Sequence, residues 1–365
     1  MTVEDRTIKI AVIGGGIVGT RHAKLISQHP NVELSGLVEP SPTGIRVAAG
    51  LHTKHYFSLA ELFESGIPDA AIVASPTQVT DSIARKLIAQ GVHMLVENTL
   101  STKVKSAEEI ANVADKKGVS LLMGHHRRFH PSIVAAKKAI DSGELGIITA
   151  ISGSWTLRKP MDYLDSVFPS EDWENDKRLS RQLYLNLVHD IDILQYLIGP
   201  IVRVYAQKFP SINAFGAQSG SAQQASVTLL FNCGAIGTFM LSDFDSSRDS
   251  STFGSSHLAA HSPQLPSTEE ASSAYYIFGT TASLSIPEMA RYSFEDSGIG
   301  WTSKMKVDTL LVESGLSYDL QLDHFINVLR GQEKPNCSGK ESVMTLKVAT
   351  AVQESLKDGD PIDIE

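Results

Sequence analysis

The first 125 residues alternate short apolar runs with segments of helical period. IKIAVI (8 to 13), VELSGLV (32 to 38), DAAIVAS (69 to 75), VHMLVE (92 to 97) and VSLLMG (119 to 124) are too short for helices and carry β-branched residues. They read as strands of a parallel sheet buried on both faces. Between them, 77 to 90 places Val79, Ile83 and Leu87 at helical spacing, and 106 to 117 does the same with Ile110 and Val113. Strands that alternate with helices predict right-handed crossovers and a doubly wound α/β domain.

Beyond residue 126 the pattern changes. Residues 131 to 142 read as a helix and 147 to 157 as a strand. ASVTLLF (225 to 231), AIGTFMLS (235 to 242) and YYIFGTTASLSIP (275 to 287) follow, separated by turns bearing Gly or Asn. That grammar predicts an α/β domain with a large, mostly antiparallel sheet. Helical patterns recur over 182 to 198, 316 to 330 and 340 to 357. The expected division is residues 1–126 and 127–365, with the final helix, 340 to 357, packing back near the junction. Asp245 to Ser273 holds ten Ser and few large apolar residues, so it reads as a long loop.

The first strand runs into GGGIVGTRHAKLI, where Gly14, Gly16 and Gly19 fit G-x-G-x-x-G between a strand and a helix. Gly14 permits a tight turn, Gly16 lets a pyrophosphate approach the backbone, and Gly19 allows close helix-sheet packing. The helix start at Ile17 and Val18 turns its N–H groups toward the anion. Glu39 ends the second strand twenty residues beyond Gly19, where an acid would bond ribose hydroxyls. The pattern points to a bound dinucleotide. A carboxylate at Glu39 would repel a 2′-phosphate, and Pro40, Ser41 and Pro42 follow it rather than an arginine, so NAD is expected over NADP. Arg46 is the residue that would reverse that preference by reaching a 2′-phosphate; as a solvated helix residue it would do nothing of the kind.

The chain resembles the Gfo/Idh/MocA oxidoreductases over nearly its whole length. The matching motifs are AVIGGGIVG at the start, VASPT (73 to 77), VEN (96 to 98) where the family has V-E-K-P, GHHRRFHP (124 to 131), HDIDILQYLIG (189 to 199) and HFINVLRGQEKPNCSGKESVMTLKVA (324 to 349). The resemblance implies a nicotinamide-binding Rossmann domain followed by an α/β domain with a large open sheet. It also implies a substrate pocket between them and assembly into homodimers or homotetramers through that sheet. It places Ser75, Pro76, Thr77, Glu97 and His126 with the glycine loop and Glu39 in the cofactor site. It further implies a sugar, cyclitol or related polyhydroxy or keto compound as substrate.

Typical members use the lysine of E-K-P with a histidine and an aspartate four residues before it. Here those positions are Asn98, His189 and Leu185, and the proline position is Thr99. An asparagine does not exchange protons near neutrality, although its amide still hydrogen-bonds a substrate oxygen. His189 is therefore the candidate for acid-base work and Asn98 for positioning. On the 182 to 198 helix, Gln182, Asn186, His189 and Tyr196 form a polar stripe edged by Asp192, opposite Leu187, Ile191, Leu194 and Ile198. Asn186 and His189 are candidate substrate contacts, although a stripe facing solvent would look the same. In SWTLRKPMDYLD (154 to 165), Lys159 and Tyr163 are further catalytic and substrate candidates. Lys159 has an equal alternative as a surface lysine neutralising Asp162, Asp165, Glu171, Asp172, Glu174 and Asp176. His126 is a candidate substrate contact as well, and the spacing of His125, His126 and His130 does not suggest a metal site.

These readings make an oxidoreductase acting on CH–OH groups the leading expectation. The loss of the lysine keeps two others open. One is a redox-neutral enzyme that retains NAD for transient oxidation with elimination or epimerisation, and the other is a regulatory protein that binds NAD(H) without turnover. The formal charge of −9 argues against nucleic-acid and basic membrane-surface partners. Residues 1–126 balance 12 Lys and Arg against 12 Asp and Glu, so the whole surplus lies beyond them. The six acids between 162 and 176 would repel a polyanion, so a neutral small molecule is expected. Cys233 and Cys337 are far apart, and no apolar leader or 18-residue apolar stretch occurs, so a cytoplasmic protein is expected.

Overall fold

A computed structural model describes residues 7–156, 181–208, 224–242, 275–294 and 304–365. Two compact units emerge. One contains the chain to His126 together with Ser317–Leu346, and the other contains Arg127–Leu316 with Lys347–Glu365.

In the first unit the elements run β1 (Ile8–Ile13), α1 (Ile17–Gln28), β2 (Val32–Val38), α2 (Thr43–Gly50), β3 (His55–Tyr56) and α3 (Leu59–Ser65). They continue as β4 (Ala70–Val73), α4 (Thr77–Ala89), β5 (His93–Val96), α5 (Val104–Lys116) and β6 (Leu121–Met123). The sheet is parallel with order β3-β2-β1-β4-β5-β6, the doubly wound dinucleotide-binding arrangement. Its apolar runs lack polar alternation because both faces are covered. Ile10, Val12, Ala70, Ile72 and Leu95 point into one core, while Ala11, Ile13, Ala71, Val73, Met94 and Val96 point into the other. Helix α8 (Ser317–Leu329) adds Leu322, Phe325 and Ile326 to the first core. The start of α9 (Gly339–Asp358) adds Val343 and Leu346 to the second.

The second unit opens at Arg127, within the 3-10 turn His126–Phe129. It contains α6 (Pro131–Asp141), β7 (Ile148–Thr156), α7 (Arg181–Ile198), β8 (Ile201–Lys208), β9 (Gln224–Phe231) and β10 (Ile236–Ser242). The rest of its sheet comes from β11 (Tyr275–Gly279), β12 (Ala282–Ile286), β13 (Ala290–Phe294), β14 (Met305–Thr309) and β15 (Ile362–Asp363). The nine strands lie in the order β14-β13-β12-β11-β7-β10-β9-β8-β15. Among the described residues only β7 and β10 pair in parallel in this sheet, so it is mixed and mostly antiparallel as expected. One face packs on α6, α7 and the end of α9, burying Ile151, Val227, Leu229, Phe239 and Ile277. The other leaves Tyr205, Ile236, Met240, Tyr276 and Phe278 exposed.

Two details depart from the sequence pattern. The run 275 to 287 is a hairpin, with Thr280 and Thr281 between β11 and β12. Helix α7 buries Val188, Ile193 and Leu197 in addition to the expected Leu187, Ile191 and Leu194, so it is apolar on more than one side. The Ser-rich stretch 245 to 273 and the acidic stretch 158 to 180 lie outside the described residues. Among the described residues no helix is long and apolar enough to cross a membrane.

Candidate functional site

The glycine loop sits where β1 turns into α1. Gly14 has φ +109°, and a Cβ there would lie 2.3 Å from the carbonyl oxygen of Ala74, so both conformation and space require glycine. A Cβ at Gly19 would meet the carbonyl oxygen of Gly14 at 1.9 Å, which is the close approach its spacing predicts. Gly16 is different: a Cβ there would have nothing within 4 Å among the described residues. It caps α1 with no side-chain bond, and the first turn carries no acid. The N–H groups that open α1 therefore face an uncovered space suited to an anion. Ile17, 59% exposed, stands beside it as an apolar residue without cover. Helix α4 opens in the same way after Ser75 and Pro76, with no side-chain cap and Thr77 as its first residue.

Glu39 reaches back from the end of β2. Its Oε2 accepts the N–H of Gly15 at 2.7 Å, and its Oε1 accepts that of Ser41 at 2.9 Å. Burial pushes the carboxyl upward, but those hydrogen bonds and the nearby His55 outweigh it, holding Glu39 below its ordinary range. The Ser41 hydroxyl also bears on it, and a carboxylate, with about four acceptor positions, can still accept from a diol while fastening the loop. This fastening role is invisible in the sequence. The uncovered helix start, the open Gly16 and the ionised Glu39 together fit a dinucleotide.

At the end of β5, Glu97 accepts a bond from His22 Nε2 at 2.7 Å, and half-buried Asn98 follows it. His126 stacks on Tyr318, with ring centroids 4.4 Å apart and planes 16° apart. Arg21 lies 4.8 Å from the centroid of the same ring. His22 and Tyr318 escape a sequence reading because each stands in a helical apolar pattern. The one signal was a histidine on the inward face of α1, three residues after the last loop glycine.

In the second unit, half-buried His189 lies on α7 beside two buried acids. Asp190 accepts from Arg127 Nη1 at 3.0 Å and from the hydroxyl of Tyr275. Burial, then the charge of Asp190, pushes the Tyr275 phenol well above its ordinary range. Asp192 takes Arg128 side-on, Nε to Oδ2 at 2.9 Å and Nη2 to Oδ1 at 2.8 Å. The polar stripe is thus no solvent-facing edge at Asp192, which is 0% exposed. The signal for this network is the pairing of R-R at 127–128 with D-I-D at 190–192, since acids inside an apolar helix require partners. Lys159 and Tyr163 lie outside the described residues, as does the side chain of Asn186.

Comparison with known proteins agrees with this architecture. Residues 8–125 match the family described as an oxidoreductase family with an NAD-binding Rossmann fold, and 133–285 match the GFO/IDH/MocA C-terminal domain. An uncharacterised oxidoreductase of Bacillus subtilis, YrbE, is 24% identical over 99% of this chain and 97% of its own. The scyllo-inositol 2-dehydrogenase (NAD+) of the same organism is 24% identical over the same shares. The WlbA dehydrogenase of Bordetella pertussis, solved with NADH and UDP-GlcNAcA, shares the fold at a TM-score of 0.72 and 21% identity, covering 100% of this chain and 99% of that one. Glycine loop, strand order and both matched domains together make this chain a member of the Gfo/Idh/MocA oxidoreductase family.

Proposed function

We propose that the chain is an NAD-dependent oxidoreductase acting on a CH–OH group of a neutral sugar, cyclitol or related polyhydroxy or keto compound. The observation that carries the reading is the uncovered start of α1 at Gly16 beside an ionised Glu39. Gly14, Gly16, Ile17, Val18, Gly19, Ser75, Pro76, Thr77, Glu97 and His126 would hold the dinucleotide, with Glu39 favouring a free ribose over a 2′-phosphate. When bound, the nicotinamide supplies or accepts the hydride. His189 exchanges the proton of the substrate hydroxyl, and Asn98 hydrogen-bonds the reacting oxygen without titrating. Arg127 and Arg128 hold the two acids that follow His189, Asp190 and Asp192, which fixes the stretch of α7 that carries it. Lys159, Tyr163 and Asn186 complete the substrate set in this reading.

The test is turnover of the purified chain with NAD or NADP and a panel of inositols and sugars, followed at 340 nm. His189→Ala should lower kcat by about 10²-fold, the loss expected for a general acid or base. An unchanged kcat removes His189 from the mechanism, and a preference for NADP overturns the role of Glu39. Asn98 in the lysine position supports a second reading, a redox-neutral reaction with retained NAD. Co-purified cofactor, altered substrate and no net NADH would select it.

A further inference from the structure

Helix α1 carries a second polar feature one turn beyond its open start. His22 turns inward and is 1% exposed, with Nε2 2.7 Å from Oε1 of Glu97. Its other nitrogen, Nδ1, is buried with no hydrogen-bond partner among the described residues. That environment places a proton on Nε2. An Nε2 lone pair would oppose a carboxylate, so Nε2 carries an N–H and donates it to Glu97. The edge of the Tyr318 ring confines the imidazole, with centroids 5.3 Å apart and planes at 70°.

Glu97 is confined from a second direction. A Cβ at Gly124 would lie 2.6 Å from Oε2 and 2.8 Å from the Cα of Glu97, so only the bare backbone of Gly124 leaves the carboxylate its place. The side chain nevertheless keeps 16% exposure. It is held without being sealed, at the carboxyl end of a parallel strand, where ligands of doubly wound sheets bind.

We infer that His22 is a positioning residue, whose Nε2–H fixes Glu97 as an oriented acceptor for a hydrogen-bond donor of the bound dinucleotide. The inference rests on the NAD reading above. It makes α1 serve the cofactor twice, through the N–H groups of its first turn and through the carboxylate that His22 holds.

The test is NADH affinity of the whole chain, measured by titration calorimetry beside thermal unfolding. His22→Ala should weaken NADH binding about tenfold, the size of one lost hydrogen bond to a charged group. His22→Gln should recover most of the affinity, because its amide reaches the place of Nε2, whereas the shorter amide of His22→Asn should not. With Glu97→Ala in place, His22→Ala should cost no further affinity, since its effect runs through that carboxylate. Unchanged affinity in His22→Ala, equal affinity in the Gln and Asn variants, or a loss that adds in full to that of Glu97→Ala overturns the inference. Should His22→Ala fail to fold, the Gln and Asn pair decides alone. A parent chain that binds no NADH overturns the NAD reading, and this inference with it. A parent that binds normally beside an indifferent His22→Ala overturns this inference only.

Discussion

The polar groups at the carboxyl ends of β1 and β2 keep unused bonding capacity, whereas the acids that follow His189 on α7 are taken up by Arg127, Arg128 and Tyr275. At the glycine loop, Gly16 faces empty space, α1 begins uncapped, and Glu39 accepts one backbone N–H on each oxygen. On α7, Asp192 has both oxygens on Arg128, and Asp190 takes Arg127 and Tyr275 on one oxygen. A site that receives a ligand needs groups whose partners are still to come. A helix that must present one side chain in a fixed place needs neighbours already satisfied. Both kinds of polar cluster lie among apolar elements, and they differ in what remains unpaired.

The largest expected effect tests the consumed side. Arg128 and Asp192 are 2% and 1% exposed at the side chain, and Arg128 also lies 4.9 Å from the centroid of Tyr196. Replacing such a pair by apolar residues would be nearly neutral, but removing one partner leaves a bare buried charge. Arg128→Ala should therefore destabilise the second unit by about 3–5 kcal/mol, read from urea unfolding. A loss below about 1 kcal/mol, the surface-pair value, would mean that this network holds nothing in place and would erase the contrast.

The two regions also differ in how far their sequences disclose them. β1 and β2 appear in the apolar runs to the residue, because buried apolar residues stand at both ends of each strand and Lys9 or Glu33 interrupts them only inside. The glycine loop is equally legible, since Gly14 and Gly19 are imposed by backbone geometry that no other residue meets. The second sheet gives less away. β13 and β14 alternate apolar with polar residues, but Ala290, Tyr292, Phe294, Met305 and Val307 are half-buried or exposed, so the alternation marks no core face. β3 and β15 have two residues each, and their pairing is decided by distant partners. The short helices α2 and α3 fall below the length at which period is readable. β8 alternates, but Arg203 sits at a register shift that breaks the pattern. Asp192 reads as the edge of a polar stripe because a sequence shows that a residue is charged without showing what it faces. Asn98 in place of lysine is visible at once, yet its consequence depends on chemistry that spacing does not contain.

An intermediate effect separates two glycines of the same loop. Gly14→Ala must place a side chain at φ +109° and 2.3 Å from a backbone oxygen, a strain of about 1–3 kcal/mol that thermal unfolding would register. Gly16→Ala enters open space at φ −72°, and the fold should lose no more than about 0.5 kcal/mol. Its cost should instead appear in NADH binding, because the new methyl occupies the space that α1 leaves for an anion. Equal losses of stability in the two variants would show that the space at Gly16 is structural and would remove the received half of the comparison.

The smallest effect concerns Glu39, which belongs to both descriptions because it fastens the loop and still keeps lone pairs to offer. Its carboxyl is held below the ordinary value of 4.5 in the folded chain, with burial opposing and the Gly15 and Ser41 hydrogen bonds prevailing. A carboxyl depressed by folding contributes stability that is present in full above its unfolded pKa and is lost as pH falls through the folded one. Water still reaches this carboxylate, so the contribution is discounted to about 0.5 kcal/mol or less. Glu39→Gln should lose that increment at pH 7, and the gap between the two proteins should close as the pH is lowered below 4.5. Urea midpoints of parent and variant across that range measure it. A gap that persists unchanged into acid would show that Glu39 fastens the loop by shape alone, and its charge would then be left wholly to the ligand.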